Sequence, residues 1–149
     1  MYTSLVELIV GLERWSEKKG GILYILNLED NVFKHHDICR VIEMGSFKNV
    51  KIDWVRNLTE GLNKIEEMNN NNTPYDVIIT DMWYPLNDGG NDNNSGEMLI
   101  SKSEELGWNI PIILCSTIRY RYSQILGEVY YSKNSNGEWE LIDFLRQVK

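Results

Sequence analysis

The sequence has little cysteine, little proline and no long apolar run. Its two cysteines, Cys39 and Cys115, lie far apart in apolar segments, so we interpret them as buried free thiols and not as a disulfide or metal ligands. No apolar run approaches the roughly 20 residues that a membrane-spanning helix needs. Glu7 and Glu13 interrupt the segment in which a signal peptide would lie. We therefore expect a cytoplasmic protein without a membrane partner.

Positive charge is also scarce. Lysine and arginine together number 15, against 22 aspartates and glutamates, and the net charge is −7. Nucleic acids and anionic membrane surfaces both require a basic face, so neither is an expected partner. The remaining composition, with 42% hydrophobic and 25% charged residues, is typical of a soluble globular protein. A chain of 149 residues is long enough for one domain with a real core.

Helices and strands alternate along the chain. Residues 1–20 are predicted to form an amphipathic helix, an N-terminal extension that ends at Gly20-Gly21. Short apolar runs then alternate with segments of helical periodicity, such as Phe33, Ile38, Val41 and Ile42. This pattern predicts a three-layer α/β/α sandwich around a parallel sheet. The predicted strands are 22–28, 50–55, 77–79, 110–114 and 128–132, and the predicted helices are 33–44, 58–68, 97–106, 119–126 (two turns at most) and 139–148.

Two polar segments suggest metal binding, but their spacing disfavours it. The loop at 86–95 carries Asp88 and Asp92, yet it lacks the terminal glutamate and incoming helix of a calcium-binding EF-hand, so we expect a mobile loop without an apolar anchor. His35 and His36 would point about 100° apart on a helix. Since no third ligand has suitable spacing, we expect both histidines on a solvated helix face.

Polar side chains follow the predicted strands at the points where the strands end. Glu29 and Asp30 follow the first strand, Asp81 the third, Ser116 the fourth and Lys133 the last. Because the carboxyl ends of parallel strands meet at one edge of the sheet, where ligands bind, we expect these residues to lie together. Two carboxylates 4 Å apart repel by about 4 kcal/mol at an effective dielectric of about 20. The lysine and a hard cation such as Mg²⁺ would compensate this charge.

An ion held by three acids beside a lysine and a hydroxyl is typical of a site that handles phosphoryl groups. A carboxylate can itself be the nucleophile, so Asp81 needs no separate general base. These motifs resemble the response-regulator receiver domain of two-component signalling, a family typical of bacteria. The resemblance covers residues 21–149 and rests on elements in the family's order: Glu29-Asp30, Asp81 in Asp-Met-Trp-Tyr-Pro, Gly96 at a helix start, Ser116 in Pro-Ile-Ile-Leu-Cys-Ser, and Lys133 with Tyr130 three residues before it.

The resemblance implies a fold and a set of roles. It implies a five-stranded parallel sheet of flavodoxin-like order 2-1-3-4-5. It implies that Asp81 is the phosphoacceptor, that Ser116 and Lys133 assist it, and that Tyr130 is a switch residue. Mg²⁺ would then be held by the acidic pair, by the acceptor and by a backbone carbonyl: Glu29, Asp30, Asp81 and the carbonyl of Trp83.

Several departures from the family pattern bear on whether the site is used. Asn134 follows Lys133, where the family usually has proline. The segment between Ser116 and Lys133 is short, which predicts a truncated helix at 119–126. Trp83 and Thr117 are large groups at this edge of the sheet, and we expect them to restrict access to the pocket.

The resemblance implies a phosphoacceptor that receives its phosphoryl group from a histidine kinase or a phosphotransfer protein. No further domain follows the last predicted helix, so we expect the signal to pass to a downstream protein partner. The domain would not be an enzyme beyond its own phosphotransfer and autodephosphorylation. One alternative is a pseudo-receiver that binds a partner, or a second copy through residues 1–20, independently of phosphorylation. A phosphohydrolase of the haloacid-dehalogenase type is disfavoured, because its second acid would fall at Trp83.

Overall fold

A computed structural model describes residues 21–118, 120–131 and 137–148 of the chain. Strands and helices alternate through this part as the sequence predicts. The strands are β1 (Leu23–Leu28), β2 (Val50–Val55), β3 (Val77–Thr80), β4 (Tyr84–Pro85), β5 (Asp92–Asn93), β6 (Ile112–Ser116) and β7 (Gly127–Tyr130). The helices are α1 (Val32–Met44), α2 (Leu58–Asn70), α3 (Ser95–Leu106) and α4 (Gly137–Leu145).

Five of these strands form one parallel sheet in the order β2-β1-β3-β6-β7. When the two-residue strands β4 and β5 are set aside, this is the predicted order 2-1-3-4-5, so the flavodoxin-like topology is confirmed. Leu28 of β1 aligns with both Val55 of β2 and Thr80 of β3. These three strands therefore end at the same level, and the residues that follow them share one edge of the sheet.

Helices cover both faces of the sheet, which confirms the three-layer sandwich. Neighbouring residues of the central strands serve opposite faces: Ile25 and Ile79 belong to one core, and Leu26 and Ile78 belong to the other. Because both faces are buried, these strands are apolar at nearly every position. The first core includes Ile38, Val41 and Ile42 of α1 with Leu141, Ile142 and Leu145 of α4. The second core includes Leu58 and Ile65 of α2 with Leu99 and Ile100 of α3.

The loop at 86–95 is more ordered than predicted. Strands β4 and β5 pair antiparallel, with Pro85 opposite Asp92. The backbone N–H of Thr59, at the start of α2, donates to the carbonyl of Leu86 at 3.0 Å. Leu86 also packs against the second core and so supplies the apolar anchor that the sequence analysis did not find. These contacts tie the loop to the domain.

The predicted short helix at 119–126 is wrong for residues 120–126, which form turns and bends with no helical residue. The backbone N–H of Tyr120 donates to Glu128 Oε1 at 2.6 Å instead of to a helical carbonyl. Leu126 donates to the carbonyl of Ile112 at 2.9 Å and thereby joins the sheet ahead of β7. The backbone N–H groups of Tyr120 and Leu126 are thus bonded to Glu128 and to the sheet, and not to carbonyls within a helical turn.

Three sequence predictions lie outside the described residues: the amphipathic helix at 1–20, the placement of Lys133 and the effect of Asn134. Within the described part, each helix is too short or too polar to span a lipid bilayer. Cys39 and Cys115 are both free thiols, and Cys115 is buried while Cys39 is half-buried.

Candidate functional site

Three carboxylates meet at the carboxyl edge of the sheet. Glu29 and Asp30 follow β1, and Asp81 follows β3. The backbone N–H of Glu29 donates to the carbonyl of Val55, and that of Asp81 to the carbonyl of Leu28, both at 3.0 Å. These bonds continue the sheet ladder one residue beyond the strands and hold the acidic residues in register. One oxygen from each of the three side chains lies within 4.8 Å of the others. We call Glu29, Asp30 and Asp81 the acidic cluster.

Glu29 is the most buried member of the acidic cluster, with only 1% of its surface exposed. Its Oε2 accepts from the backbone N–H of Asn31 at 3.2 Å, and its Oε1 lies 2.9 Å from Lys34 Nζ. Burial raises the pKa of Glu29 to about 7; the Lys34 ammonium opposes this rise and the Asp81 carboxylate adds to it. The ionised form of this side chain therefore depends on a nearby positive charge.

The described residues hold Asp81 through one of its two carboxylate oxygens. Its Oδ1 accepts from the backbone N–H of Met82 at 2.8 Å and lies 3.1 Å from Lys34 Nζ. Among the described residues, none donates a hydrogen bond to the other oxygen, Oδ2. Within the described part of the chain, the carboxylate is thus anchored through Oδ1.

Asp92 adds a fourth carboxylate from the loop at 86–95. Burial raises the pKa of Asp30, and the charge of Asp92 and a side-chain hydrogen bond with it raise this pKa further. A cation bound beside Asp30 would offset this rise in its pKa. In the sequence, Asp92 has the same residue type and lies in the same loop as Asp88, so nothing distinguishes the two aspartates there.

The acidic cluster fits a hard divalent cation. Oxygen ligands 2.1 Å from Mg²⁺ lie about 3.0 to 4.2 Å from one another, and the three carboxylates each bring an oxygen within 4.8 Å of the others, so a small approach of the side chains would complete such a set. Burial is the main cause of the raised pKa values of Glu29 and Asp30, and neighbouring carboxylates add to it, so a bound cation would favour the ionised form of both. All the donors are carboxylate oxygens, which hard cations prefer.

Lys34 is the residue at this site that the sequence analysis missed. Helix α1 begins after the N-cap Asn31, whose Oδ1 accepts from the Lys34 backbone N–H at 3.0 Å. Lys34 therefore lies in the first helical turn, and helical side chains extend back toward the N-terminus. Its ammonium reaches the acidic cluster, whereas Phe33, which was predicted to belong to the apolar stripe, is 82% exposed.

A signal for this arrangement was present in the sequence. The macrodipole disfavours a cation in the first turn of a helix, so a lysine there requires an acidic partner. The helical spacing gives the same indication. Residues three and four positions before the buried Ile38 share its face of the helix, and these are His35 and Lys34, not Phe33.

His35 is buried, and the prediction that it lies on a solvated face is wrong. Its Nδ1 lies 2.7 Å from Asn27 Oδ1, while Asn27 Nδ2 donates to the carbonyl of Ile79 at 3.0 Å, so Nδ1 carries the proton. The imidazole stacks on Trp54, with ring centroids 4.1 Å apart and planes 5° from parallel. Trp54 Nε1 in turn donates to the carbonyl of Glu29 at 2.7 Å. Through Trp54, this network holds the backbone carbonyl of Glu29 in place.

Those of the other predicted residues that the structure describes lie at or near the same edge, while Lys133 is outside the described residues. Ser116 ends β6, is aligned with Tyr130 at the end of β7, and accepts a hydrogen bond at Oγ from Ile118 N at 3.3 Å. Trp83 is 47% exposed and donates from Nε1 to the hydroxyl of Tyr120 at 2.9 Å. Thr117 is exposed. That Trp83 and Thr117 control access, and that the Trp83 carbonyl is a metal ligand, remain predictions.

Gly96 allows α3 to begin directly against the acceptor strand. Its backbone N–H donates to the carbonyl of Met82 at 2.9 Å. A Cβ at this position would lie 2.3 Å from the carbonyl oxygen of Asp81 and 2.8 Å from Met82 Cα. Any other residue would push the backbone that carries Asp81.

Comparison with known proteins identifies the architecture. No protein-family model matches the sequence, and no curated protein matches it. Solved structures do match. The phosphorylated cyanobacterial phytochrome response regulator RcpA has a TM-score of 0.59 at 19% identity, over 83% of this chain and 89% of that one. The Mn²⁺-bound form of response regulator Rcp1 has a TM-score of 0.58 at 16% identity, over 83% and 89%. A two-component response regulator from Cytophaga hutchinsonii has a TM-score of 0.62 at 18% identity, over 83% and 96%.

The chain has the receiver-domain fold of response regulators. At these identities the likeness concerns architecture. In this receiver fold the chain passes from β1 outward to β2 and then returns to β3 on the other side of β1. The acidic cluster lies where that reversal occurs, and open α/β sheets bind ligands at such a switch point.

Proposed function

We propose that this protein is a phosphoacceptor receiver domain, in which Asp81 takes a phosphoryl group with the help of a divalent cation, Mg²⁺ in the cell. The observation that carries the proposal is the convergence of the Glu29, Asp30 and Asp81 oxygens within 4.8 Å at the switch point of a receiver fold. Two solved structures with the same fold support the proposal: RcpA is phosphorylated, and Rcp1 is in its Mn²⁺-bound form.

Asp81 Oδ2 is the proposed nucleophile. Because Met82 N and Lys34 Nζ engage Oδ1, the carboxylate plane is held while Oδ2 attacks phosphorus. With a phosphohistidine donor, an O–P bond forms, the P–N bond breaks, and the released imidazole nitrogen takes up a proton from solvent. With acetyl phosphate, the leaving group is acetate. Neither step requires a redox partner or a separate general base.

The remaining residues are proposed to stabilise the transferred group. Glu29, Asp30, Asp81 and the carbonyl of Trp83 would hold the cation, which neutralises charge on the phosphoryl oxygens when bound. Ser116 Oγ accepts from Ile118 N, so its own proton can be donated to a phosphoryl oxygen. Lys133, which lies outside the described residues, is proposed to pair with the same group.

The proposed output of phosphorylation is a change in the conformation of the surface segments that follow β3 and β6. Negative charge on Asp81 would draw Ser116 toward it and bias the segments after β3 and β6, with Tyr130 as the switch aromatic. The donor would be a histidine kinase or a phosphotransfer protein, and the recipient of the signal a downstream protein partner. The domain itself would catalyse only its own phosphotransfer and autodephosphorylation.

Phosphorylation can be tested by intact-protein mass spectrometry after incubation with acetyl phosphate and Mg²⁺. We expect one phosphoryl adduct in the wild type, none in Asp81→Asn, and an unchanged adduct in the matched control Asp88→Asn, which alters an exposed aspartate on the neighbouring loop. Excess chelator should abolish the adduct. An adduct that persists in Asp81→Asn would show that another residue is modified, and no adduct with any donor would refute the proposal.

A second candidate function is a pseudo-receiver that binds a protein partner or a second copy independently of phosphorylation. It is favoured by the non-helical segment 120–126 and by the lysine that already occupies the acidic cluster. It predicts that partner binding, or dimerisation through residues 1–20, is the same in Asp81→Asn as in the wild type. Size-exclusion chromatography of the full chain with and without acetyl phosphate distinguishes the two functions for a homodimer.

A further inference from the structure

Lys34 places a positive charge where the proposed function requires a divalent cation. Its Nζ lies 2.9 Å from Glu29 Oε1 and 3.1 Å from Asp81 Oδ1, and it donates to the carbonyl of Cys115 at 2.7 Å. The contact with Cys115 is a hydrogen bond, and the contacts with Glu29 and Asp81 are ion pairs. The lysine is therefore bound in the acidic cluster much as an external cation would be.

The surroundings keep this ammonium charged and in place. Lys34 is only 6% exposed, and its Nζ lies 5.5 Å from the centre of the Tyr131 ring, within cation–π range. Tyr131 is itself held by a hydrogen bond from its hydroxyl to Asp37. Burial alone would lower the pKa of Lys34, but the charges of Glu29 and Asp81, with a contribution from Cys115, raise it on balance.

The ammonium and a divalent cation would compete for the same atoms. Oε2 of Glu29 accepts a hydrogen bond from Asn31 N, and Oε1, which has no hydrogen-bond partner among the described residues, is paired with Lys34 through charge alone. Lys34 also takes Oδ1 of Asp81. Glu29 and Asp81 are two of the three acids that would hold the cation, and like charges sharing ligands at such distances repel strongly.

We propose that Lys34 is a built-in counter-ion that competes with the divalent cation for Glu29 and Asp81 and so sets the cation affinity of the site. The inference rests on the proposed function, because it takes the acidic cluster as the cation site. Loading the site then requires the ammonium to give up at least one of these carboxylates. A lysine that served only to stabilise the fold would behave differently, since its removal would leave cation affinity unchanged or lower it.

The test is a Mn²⁺ titration of the full chain, with free Mn²⁺ measured by electron paramagnetic resonance. We expect Lys34→Met, which retains the length of the side chain without its charge, to bind Mn²⁺ at least about tenfold more tightly than the wild type. The matched control is Lys102→Met on the exposed face of α3. Its affinity should change by less than about twofold, because exposed charges are screened. Equal or weaker binding by Lys34→Met would overturn the proposal.

Lys34→Met removes one partner of a buried ion pair, so its folding must be followed separately. A cation that binds only the folded state raises stability by mass action. If the variant is unfolded without metal, we expect added Mn²⁺ to restore its circular dichroism spectrum, because the ion replaces the missing charge. Failure to refold at Mn²⁺ concentrations that saturate the wild type would also overturn the proposal. Lys34→Gln provides a second, more polar replacement and should show the same gain in affinity.

The two proposals fail in different ways. If Asp81→Asn abolishes Mn²⁺ binding in the wild-type background but Lys34→Met gains no affinity, the counter-ion proposal fails and the cation site stands. If Lys34→Met gains affinity but acetyl phosphate gives no adduct on Asp81, the phosphoacceptor function fails and the counter-ion proposal stands. If neither folded protein binds Mn²⁺, both fail.

Discussion

Replacing Gly96 by alanine should damage the acidic cluster through the backbone alone. The added Cβ would lie 2.3 Å from the carbonyl oxygen of Asp81 and 2.8 Å from Met82 Cα. Both contacts are with backbone atoms, so no side chain can rotate away to relieve them. The helix start and the acceptor segment must move apart by about 1 Å, and packed interiors resist such movement.

The expected cost follows from two opposing effects. Overpacking of a tight contact destabilises a protein by about 1 to 3 kcal/mol. Alanine is a better helix former than glycine by up to about 1 kcal/mol, and less than this at the second residue of a helix. We therefore expect a net loss of about 1 to 2 kcal/mol in the free energy of unfolding. With an m-value of about 1.5 kcal/mol/M, the urea midpoint should fall by about 1 M.

The assay is urea denaturation followed by circular dichroism, together with the phosphoryl adduct yield. The matched control is Gly61→Ala, also near the start of a helix, where the added Cβ would approach the tip of the Leu28 side chain at 2.3 Å. Because a side-chain tip can shift, we expect a smaller loss of stability and no loss of adduct. Wild-type stability and adduct yield in Gly96→Ala would refute the view that this glycine is required by the proximity of Asp81.

Two further predictions concern elements that support the site. Asn57 caps α2 by accepting from Glu60 N at 2.9 Å, so Asn57→Ala should lower the free energy of unfolding by about 1 kcal/mol in urea, while Asn57→Asp, which keeps the acceptor, should lose less. Burial lowers the pKa of His35 below its usual 6.5, with His36 adding to the effect and Cys39 facing the ring. The unfolded chain then binds the proton on His35 first, so the His35 contribution to stability should fall as pH drops below 6.5. The raised pKa of Glu29 contributes with the opposite sign over the same range. The measurement is therefore the difference between the two proteins: on acidification the wild type should lose more stability, or gain less, than His35→Asn.

The acidic cluster was predictable because strand ends are easy to locate in this sequence. An uninterrupted apolar run such as Val77–Thr80 cannot contain an ionised carboxylate, so Asp81 had to follow the strand. The same holds for Glu29 and Asp30 after β1. Parallel strands bring their carboxyl ends together whatever their order, and the proximity of the three acids therefore required no knowledge of side-chain rotamers.

Lys34 and His35 were harder to predict, because their placement depends on the rotation of α1. Neighbouring residues on a helix differ by about 100°, so a small error in the assumed face exchanges buried and exposed positions. Phe33 attracted the prediction because it is apolar, yet the helix exposes it and buries the two polar residues that follow. The ion pair between Lys34 and the buried Glu29 therefore outweighs the burial of Phe33. This ion pair can be predicted only when the end of β1 and the start of α1 are considered together.

The origin of the counter-ion also matters for folding. Glu29 is buried by the fold, and an unpaired buried charge is strongly destabilising. Lys34 lies in the first turn of α1, which directly follows Glu29 in the sequence, so the compensating charge belongs to the same local segment. A domain whose acidic cluster relied on a divalent ion alone would be stable only when loaded. At a Mg²⁺ concentration below the dissociation constant of the wild type, the wild type should therefore show little change in stability, whereas Lys34→Met, which binds more tightly, should be stabilised. The difference between the two proteins measures how far the lysine has taken the place of the metal.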